Sequence, residues 1–185
     1  DGQISEIIVY TGVPSIQDQE QIHSYLSMKY GITKRSADNG TTAGVDERDY
    51  FNSAAVVLWD YSNNTAYHNN ISAIGTDNGS ELSQSKARSL TGSVIMDAGA
   101  AMTNGDFILV GDNNATPGIS LDVPGAYASR SNKIWKASKT GTPGIISLSI
   151  ELDDLGIPSG LPTANYVLLL DNDETFATGA ATHTG

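Results

Sequence analysis

Cysteine is absent from the 185 residues, which excludes a disulfide framework and any thiolate nucleophile or ligand. Basic residues are scarce: 10 Lys and Arg stand against 21 Asp and Glu, a formal charge of −11. Such a chain lacks the basic footprint that phosphate backbones require, so nucleic acid is not an expected partner, and neither is an anionic membrane surface. Long apolar runs are also missing. None approaches the roughly 18 residues of a membrane span, so direct membrane insertion is not expected, and no signal-peptide pattern is present. His23, His68 and His183 show no HxxxH or HExxH spacing, which leaves them without a metal-hydrolase signature.

What is present points to β structure. Charged residues make up 17% and hydrophobic residues 39% of the chain, with 19 glycines and abundant Asn, Ser and Thr. That balance suits sheets with one neutral, polar, wet face. The acidic excess serves solubility, and calcium is the cation it would suit best.

Ile4, Ile7, Ile8, Val9 and Tyr10 form an apolar run closed by Thr11-Gly12-Val13-Pro14, which predicts a strand and a turn. Ser15 with Asp18 three residues on has the form of a capping box. Ile22, Tyr25, Leu26 and Tyr30 then share one helical face, and Gly31 follows as a stop. A helix is therefore predicted over 15–30. Residues 34–49 are polar and without periodicity, and read as a linker. Beyond them lie short β candidates at 54–61, 66–75, 93–97, 107–110, 133–137, 145–152 and 166–170. Ile146, Leu148, Ile150 and Leu152 alternate with polar residues, the period of a strand with one wet face. The predicted fold is mainly β, a β-sandwich or jelly-roll-like arrangement with one N-terminal helix.

Two stretches carry a family resemblance. Gly2-Gln3-Ile4-Ser5-Glu6-Ile7-Ile8-Val9-Tyr10, followed by Gln21 to Thr33 with its Tyr25-Leu26-Ser27-Met28-Lys29-Tyr30-Gly31-Ile32-Thr33 ending, resembles the close of a LamG-like (concanavalin-A-like) domain of large bacterial surface proteins. The remainder resembles the uncharacterised β-rich domain that follows it, through Trp59-Asp60, Tyr67 to Asn78, Gly111-Asp112-Asn113, Ile134-Trp135-Lys136 and Tyr166 to Asp173 with Phe176. Ala73 and Thr76 stand where a glycine and a basic residue are expected. The resemblance implies residues 1–33 as the terminal strand and helix of the LamG-like domain, 34–49 as linker, and 50–185 as a β-sandwich module truncated near its C-terminal end. It further implies export, an extracellular or cell-surface location, a multidomain parent whose other domains are partners, and adhesion or contact with surface polymers. It transfers no catalytic residue.

The residues themselves offer few sites. Asp171-Asn172-Asp173, with Asp112 and Asp77 in similar Gly/Asn loops, provides hard oxygen ligands at alternate positions and is the candidate for calcium, although the EF-hand spacing is absent. Asp, Asn and Gly are equally the residues of ordinary turns. Asp153-Asp154 and Asp171/Asp173 qualify as a glycosidase pair by residue type alone. Tyr127 and Tyr67, with Asn69 beside the latter, are the candidates for stacking and hydrogen bonding to sugar. Trp59 and Trp135 follow apolar residues and read as core. The expectation is a non-catalytic surface module, with a carbohydrate-binding module as the alternative and a polysaccharide-active enzyme behind it.

Overall fold

Ser15 opens the first ordered element of this computed structural model, which describes residues 4–35, 37, 44–157 and 160–184. Its hydroxyl accepts the Asp18 N–H at 3.1 Å, and the Asp18 carboxylate accepts the Ser15 N–H at 3.0 Å. This reciprocal box satisfies two N–H groups that the helix end would leave unpaired. Helix α1 then runs over Ile16–Tyr30 and stops at Gly31, whose φ of 64° lies in the left-handed region. A side chain at Gly31 would also meet the Arg88 carbonyl oxygen at 2.5 Å. The face that α1 buries consists of Glu20, Ser24 and Met28. The predicted stripe of Ile22, Tyr25, Leu26 and Tyr30 is only half-buried. The helix docks through polar groups because its neighbours supply partners for them.

The strands that follow are β1 (Tyr50–Phe51), β2 (Val57–Trp59), β3 (Asn69–Asp77), β4 (Leu82–Gln84), β5 (Lys86–Arg88), β6 (Val94–Asp97), β7 (Phe107–Asp112), β8 (Ile119–Ser120), β9 (Arg130–Ser131), β10 (Trp135–Thr140), β11 (Ser147–Ile150), β12 (Leu168–Leu170) and β13 (Ala181–His183). They pair antiparallel into a four-stranded sheet ordered β10-β7-β3-β4, a three-stranded sheet β11-β6-β5, and three two-stranded ribbons. The chain is therefore mainly β, with several antiparallel sheets and one N-terminal helix. Where residues 54–61 were predicted as one strand, β2 is shorter: Asp60 caps a single turn, α2 (Tyr61–Asn64), by accepting the Asn63 N–H at 3.1 Å.

Alternation along β3 and β7 separates two cores. Ile71 and Ala73, with Phe107 and Leu109, face Met28, Tyr50, Leu58, Trp59 and Tyr67. Ile74 and Val110 face the other way, onto Val94, Met96 and Met102. Helix α1 and the β1–β2 ribbon thus lie on one side of the central sheet and the β11-β6-β5 sheet on the other. Each fully buried side chain of this size contributes roughly 1.5–3 kcal/mol. Two glycines let the first core close. A Cβ at Gly75 would stand 2.2 Å from the Phe107 ring, and one at Gly111 would stand 2.2 Å from the Tyr67 carbonyl oxygen and 3.1 Å from Trp59.

The N-terminal segment departs from expectation. Residues 4–10 form no strand; they are tied to α1 through Glu6, whose carboxylate accepts from Tyr25 Oη at 2.9 Å, Tyr30 Oη at 2.8 Å and Lys29 Nζ at 3.0 Å. Ile4, Ile7 and Val9 remain exposed. A strand needs a partner edge for its N–H and C=O groups, and none of the described strands pairs with this segment. Of the polar stretch 34–49, residues 36 and 38–43 lie outside the described residues, while Lys34 and Glu47 are buried.

Candidate functional site

Strand β3 starts irregularly. Asn69 pairs with Asp112, but Ser72 pairs with Val110, so one extra residue is accommodated between them. Asn70 carries the bulge with φ 50°, a left-handed conformation that asparagine tolerates better than most residues. The bulge aims the Asn70 amide at Asp112 Oδ2, 2.9 Å away. Asp112 is fully buried. Its Oδ2 also receives Lys133 Nζ at 3.1 Å, and its Oδ1 accepts the Asn114 N–H at 2.8 Å. Asn114 is itself left-handed, with φ 50°, and the Asn69 amide donates to the Asp112 carbonyl at 3.1 Å. Three asparagines are thus arranged around one aspartate, and two of them hold backbone conformations that concentrate at functional positions.

The segment after Gly31 crosses the end of β3. Thr33 Oγ1 accepts the Ile71 N–H at 2.9 Å, and the Gly31 carbonyl accepts the Leu90 N–H at 3.0 Å. Between this segment, the bulge and the turn at 89–91 lies a pocket of about 470 Å³, within the size range of small-ligand sites. Thr33, His68, Asn69, Asn70, Ser89, Thr91 and Asn114 supply its polar lining. Two of these, His68 and Ser89, are buried, and His68 Nδ1 and Ser89 Oγ have no hydrogen-bond partner among the described residues.

One wall of the pocket is a buried charge cluster. Lys34 Nζ lies 2.8 Å from Glu20 Oε2, with both side chains almost wholly enclosed, and donates to the Asp49 carbonyl at 2.5 Å. Arg35 is paired with Glu47 and lies 3.7 Å from Glu20. Ser24 Oγ accepts the Phe51 N–H at 3.0 Å, which joins α1 to β1. Burial pushes the Lys34 ammonium below its ordinary value, and Glu20 opposes the shift. Desolvation lifts the Asp49 carboxyl to about 6, against the Tyr61 N–H that it accepts at 2.7 Å. Desolvation likewise holds His68 below the usual imidazole range. Its Nε2 stands 3.2 Å from the Lys34 carbonyl. A carbonyl only accepts, so Nε2 carries the proton and the neutral ring leaves Nδ1 as an acceptor.

The predicted calcium residues occupy three separate places. Asp77 is buried, and its carboxylate accepts from Ser53 N, Ser53 Oγ, Gly79 N and Ser80 Oγ at 2.5–3.2 Å. Desolvation works against its charged form, yet these donors hold it below the ordinary carboxylate value. Asp112 faces amides and an ammonium, as described. Asp171 Oδ1 accepts the Asn172 N–H at 2.7 Å and Asp173 Oδ1 the Thr175 N–H at 2.7 Å, both local turn bonds. Asp171 Oδ2 has no partner among the described residues. No group of three or more His, Asp or Glu side chains able to hold a metal ion occurs among the described residues.

The sugar candidates also separate. Asn69 lines the polar pocket. Tyr67 lies in the first core, and its hydroxyl is hydrogen-bonded to Glu174; burial, with that carboxylate adding to it, pushes the hydroxyl up to about 12. Tyr127 is half-buried in a turn closed by its own N–H on the Pro124 carbonyl at 2.9 Å. Sequence reasoning missed Glu20, Lys34, Ser89, Thr91 and Asn114. The signal of Glu20, Lys34 and Ser89 is burial of polar side chains, which only the packing reveals, whereas Thr91 and Asn114 are exposed loop residues.

These observations define a mainly β domain whose N-terminal helix is clamped to its sheets by buried charge, with a polar pocket beside the clamp. The chain belongs to the family described as a domain of unknown function, DUF8202, whose model matches residues 18–185 and so begins inside α1. No curated protein and no solved structure matches it.

Proposed function

We propose that this chain is a non-catalytic module of an exported multidomain bacterial surface protein, with a structural and interaction role. The observation that carries this reading is how the buried carboxylates are used. Glu20, Glu47, Asp77, Asp106 and Asp112 each meet donors from a different part of the chain: Lys34, Arg35, Ser53, Thr142, and Asn70 with Lys133. A general acid or nucleophile needs a carboxylate that faces substrate. These five face their own scaffold.

The finer fold reading belongs to the same proposal. The central sheet and the β11-β6-β5 sheet enclose the second core as the two faces of a β-sandwich do. The capped helix ending in Tyr30-Gly31-Ile32-Thr33 supports a LamG-like close at the N-terminal side. The surplus of acids suits an extracellular surface that stays soluble and does not adhere to anionic polymers. Its partners are then neighbouring domains of the parent protein and uncharged surface polymers.

Incubating the chain with insoluble and soluble polysaccharides, and measuring retention and released products in the same samples, tests this. Retention or indifference without product is expected. Product release that disappears when one of the buried carboxylates is replaced by its amide would overturn the proposal.

A further inference from the structure

We propose that residues 4–10 of one molecule add as a strand to the free edge of β11 in a second copy, joining copies head to tail. Two unpaired features of the same chain carry the inference: a strand-like segment without an edge, and an edge without a strand.

Ile4 to Tyr10 make no backbone hydrogen bond among the described residues. Glu6, Ile8 and Tyr10 line the groove beside α1, whereas Ile7 and Val9 are 73% and 85% exposed. That alternation is the period of extended backbone. The one charge, Glu6, is paired with Lys29. The segment therefore offers a neutral apolar strand whose N–H and C=O groups are unused, and such segments bind by completing a sheet.

Few edges suit it. Lys136 and Lys139 lie on β10, and Lys86 and Arg88 on β5; charges of this kind keep edge strands from pairing. β4 and the strands of the two-stranded ribbons span two or three residues each. Strand β11 differs. Among the described strands it pairs with β6 alone, and Ile145 to Ile150 contain no charge and no proline. The Glu151 N–H donates to the Ser93 carbonyl at 3.0 Å. By the alternation of an antiparallel ladder, Ser147 and Ser149 then bond to β6, and Leu148 and Ile150 turn their N–H and C=O groups outward. Ile145, at the head of this edge, is 92% exposed.

One molecule cannot join the two by itself. Glu6 holds the segment against α1, on the first-core side of the central sheet, while β11 covers the second core. The contact is met between copies. Because donor and acceptor differ, it is heterologous and repeats from copy to copy.

Sedimentation velocity of the full chain, up to about 1 mM to cover transient interfaces, tests this. The parent is expected to assemble with concentration, and more so as salt screens the −11 charge that each copy carries. Ile8→Pro with Val9→Pro removes one N–H from each edge of the donor segment. Leu148→Pro removes an outward N–H of the acceptor, at an edge position where proline is tolerated. Both proteins are expected to be monomeric with the parent's melting temperature. If Leu148→Pro melts lower, Ile145→Lys takes its place as the blocked edge. Mixed in equal amounts, the donor and acceptor variants are expected to form dimers and nothing larger, since each keeps the half that the other lacks. Leu121→Ser, at an exposed apolar position elsewhere, is expected to assemble as the parent does. The proposal is overturned if the parent stays monomeric, if the mixture does, or if Leu121→Ser also loses assembly. It is equally overturned if a blocked variant still assembles, as pairing of residues 4–10 with their own copies would allow for Leu148→Pro. The module reading stands under all of these outcomes.

Discussion

Replacing Asp49 by asparagine removes one negative charge and keeps an acceptor for the Tyr61 N–H, which the carboxylate now accepts at 2.7 Å. Burial raises this carboxyl to about 6; Asp46 and Asp60 add to the rise, and Lys34 and the Tyr61 amide oppose it. The folded protein therefore binds more protons than the unfolded chain between about pH 4 and pH 6, so stability is lost as pH rises through that window. Above it the ionised group stays in place at a cost. The gap between the ordinary carboxylate value and about 6 corresponds to roughly 3 kcal/mol. Asp49 is partly exposed, and solvent screening reduces the figure to about 1 kcal/mol. Asp49→Asn is expected to stabilise the protein by that amount near neutral pH and to have no effect near pH 4. Urea denaturation at both pH values, with equal slopes for the two proteins, measures it. A variant less stable than the parent at neutral pH would refute the reasoning, since the charge would then be a needed partner of Lys34. An equal gain at both pH values would also refute it.

The Glu20–Lys34 pair makes a larger prediction. Glu20→Ala leaves an enclosed ammonium unpaired and is expected to cost about 3–5 kcal/mol, while Glu20→Leu combined with Lys34→Met recovers most of it; calorimetric melting distinguishes the two. Gly111→Ala forces a methyl group against the Tyr67 carbonyl and Trp59 and is expected to cost more than about 2 kcal/mol in the same assay. Calcium is expected to leave the melting temperature unchanged relative to chelator, because the Asp77 and Asp112 carboxylates already face donors. A rise with calcium that Asp171→Asn abolishes would contradict this and assign a site to the Asp171 loop.

The helix was legible because its ends are written locally, in Ser15, Asp18 and Gly31. The longer strands were legible from apolar runs, as with Ile71 to Ile74 and Phe107 to Val110. The buried face of α1 was not, because Glu20 and Ser24 are polar residues on a helix with a plausible apolar stripe. Their burial depends on Lys34 and the Phe51 N–H, which are distant in sequence. Ile4 to Tyr10 misled for the opposite reason: alternation and apolar content describe a strand only when a partner edge is present. At the pocket, Asn69 was legible beside Tyr67, whereas Asn114 and Ser89 resembled any turn residue. No local pattern announces that a serine hydroxyl will be buried without a partner.

The central claim is that buried charge makes α1 and the β sheets a single cooperative unit, with the polar pocket formed where they meet. Native-state hydrogen exchange, resolved by peptide, tests it most directly. The amides of Ser24 to Met28 are expected to exchange with the same opening free energy as those of β3 and β7, and to lose that protection in Glu20→Ala before the sheets do. Rapid exchange throughout α1 in the unmodified protein, with the central sheet still protected, would contradict it.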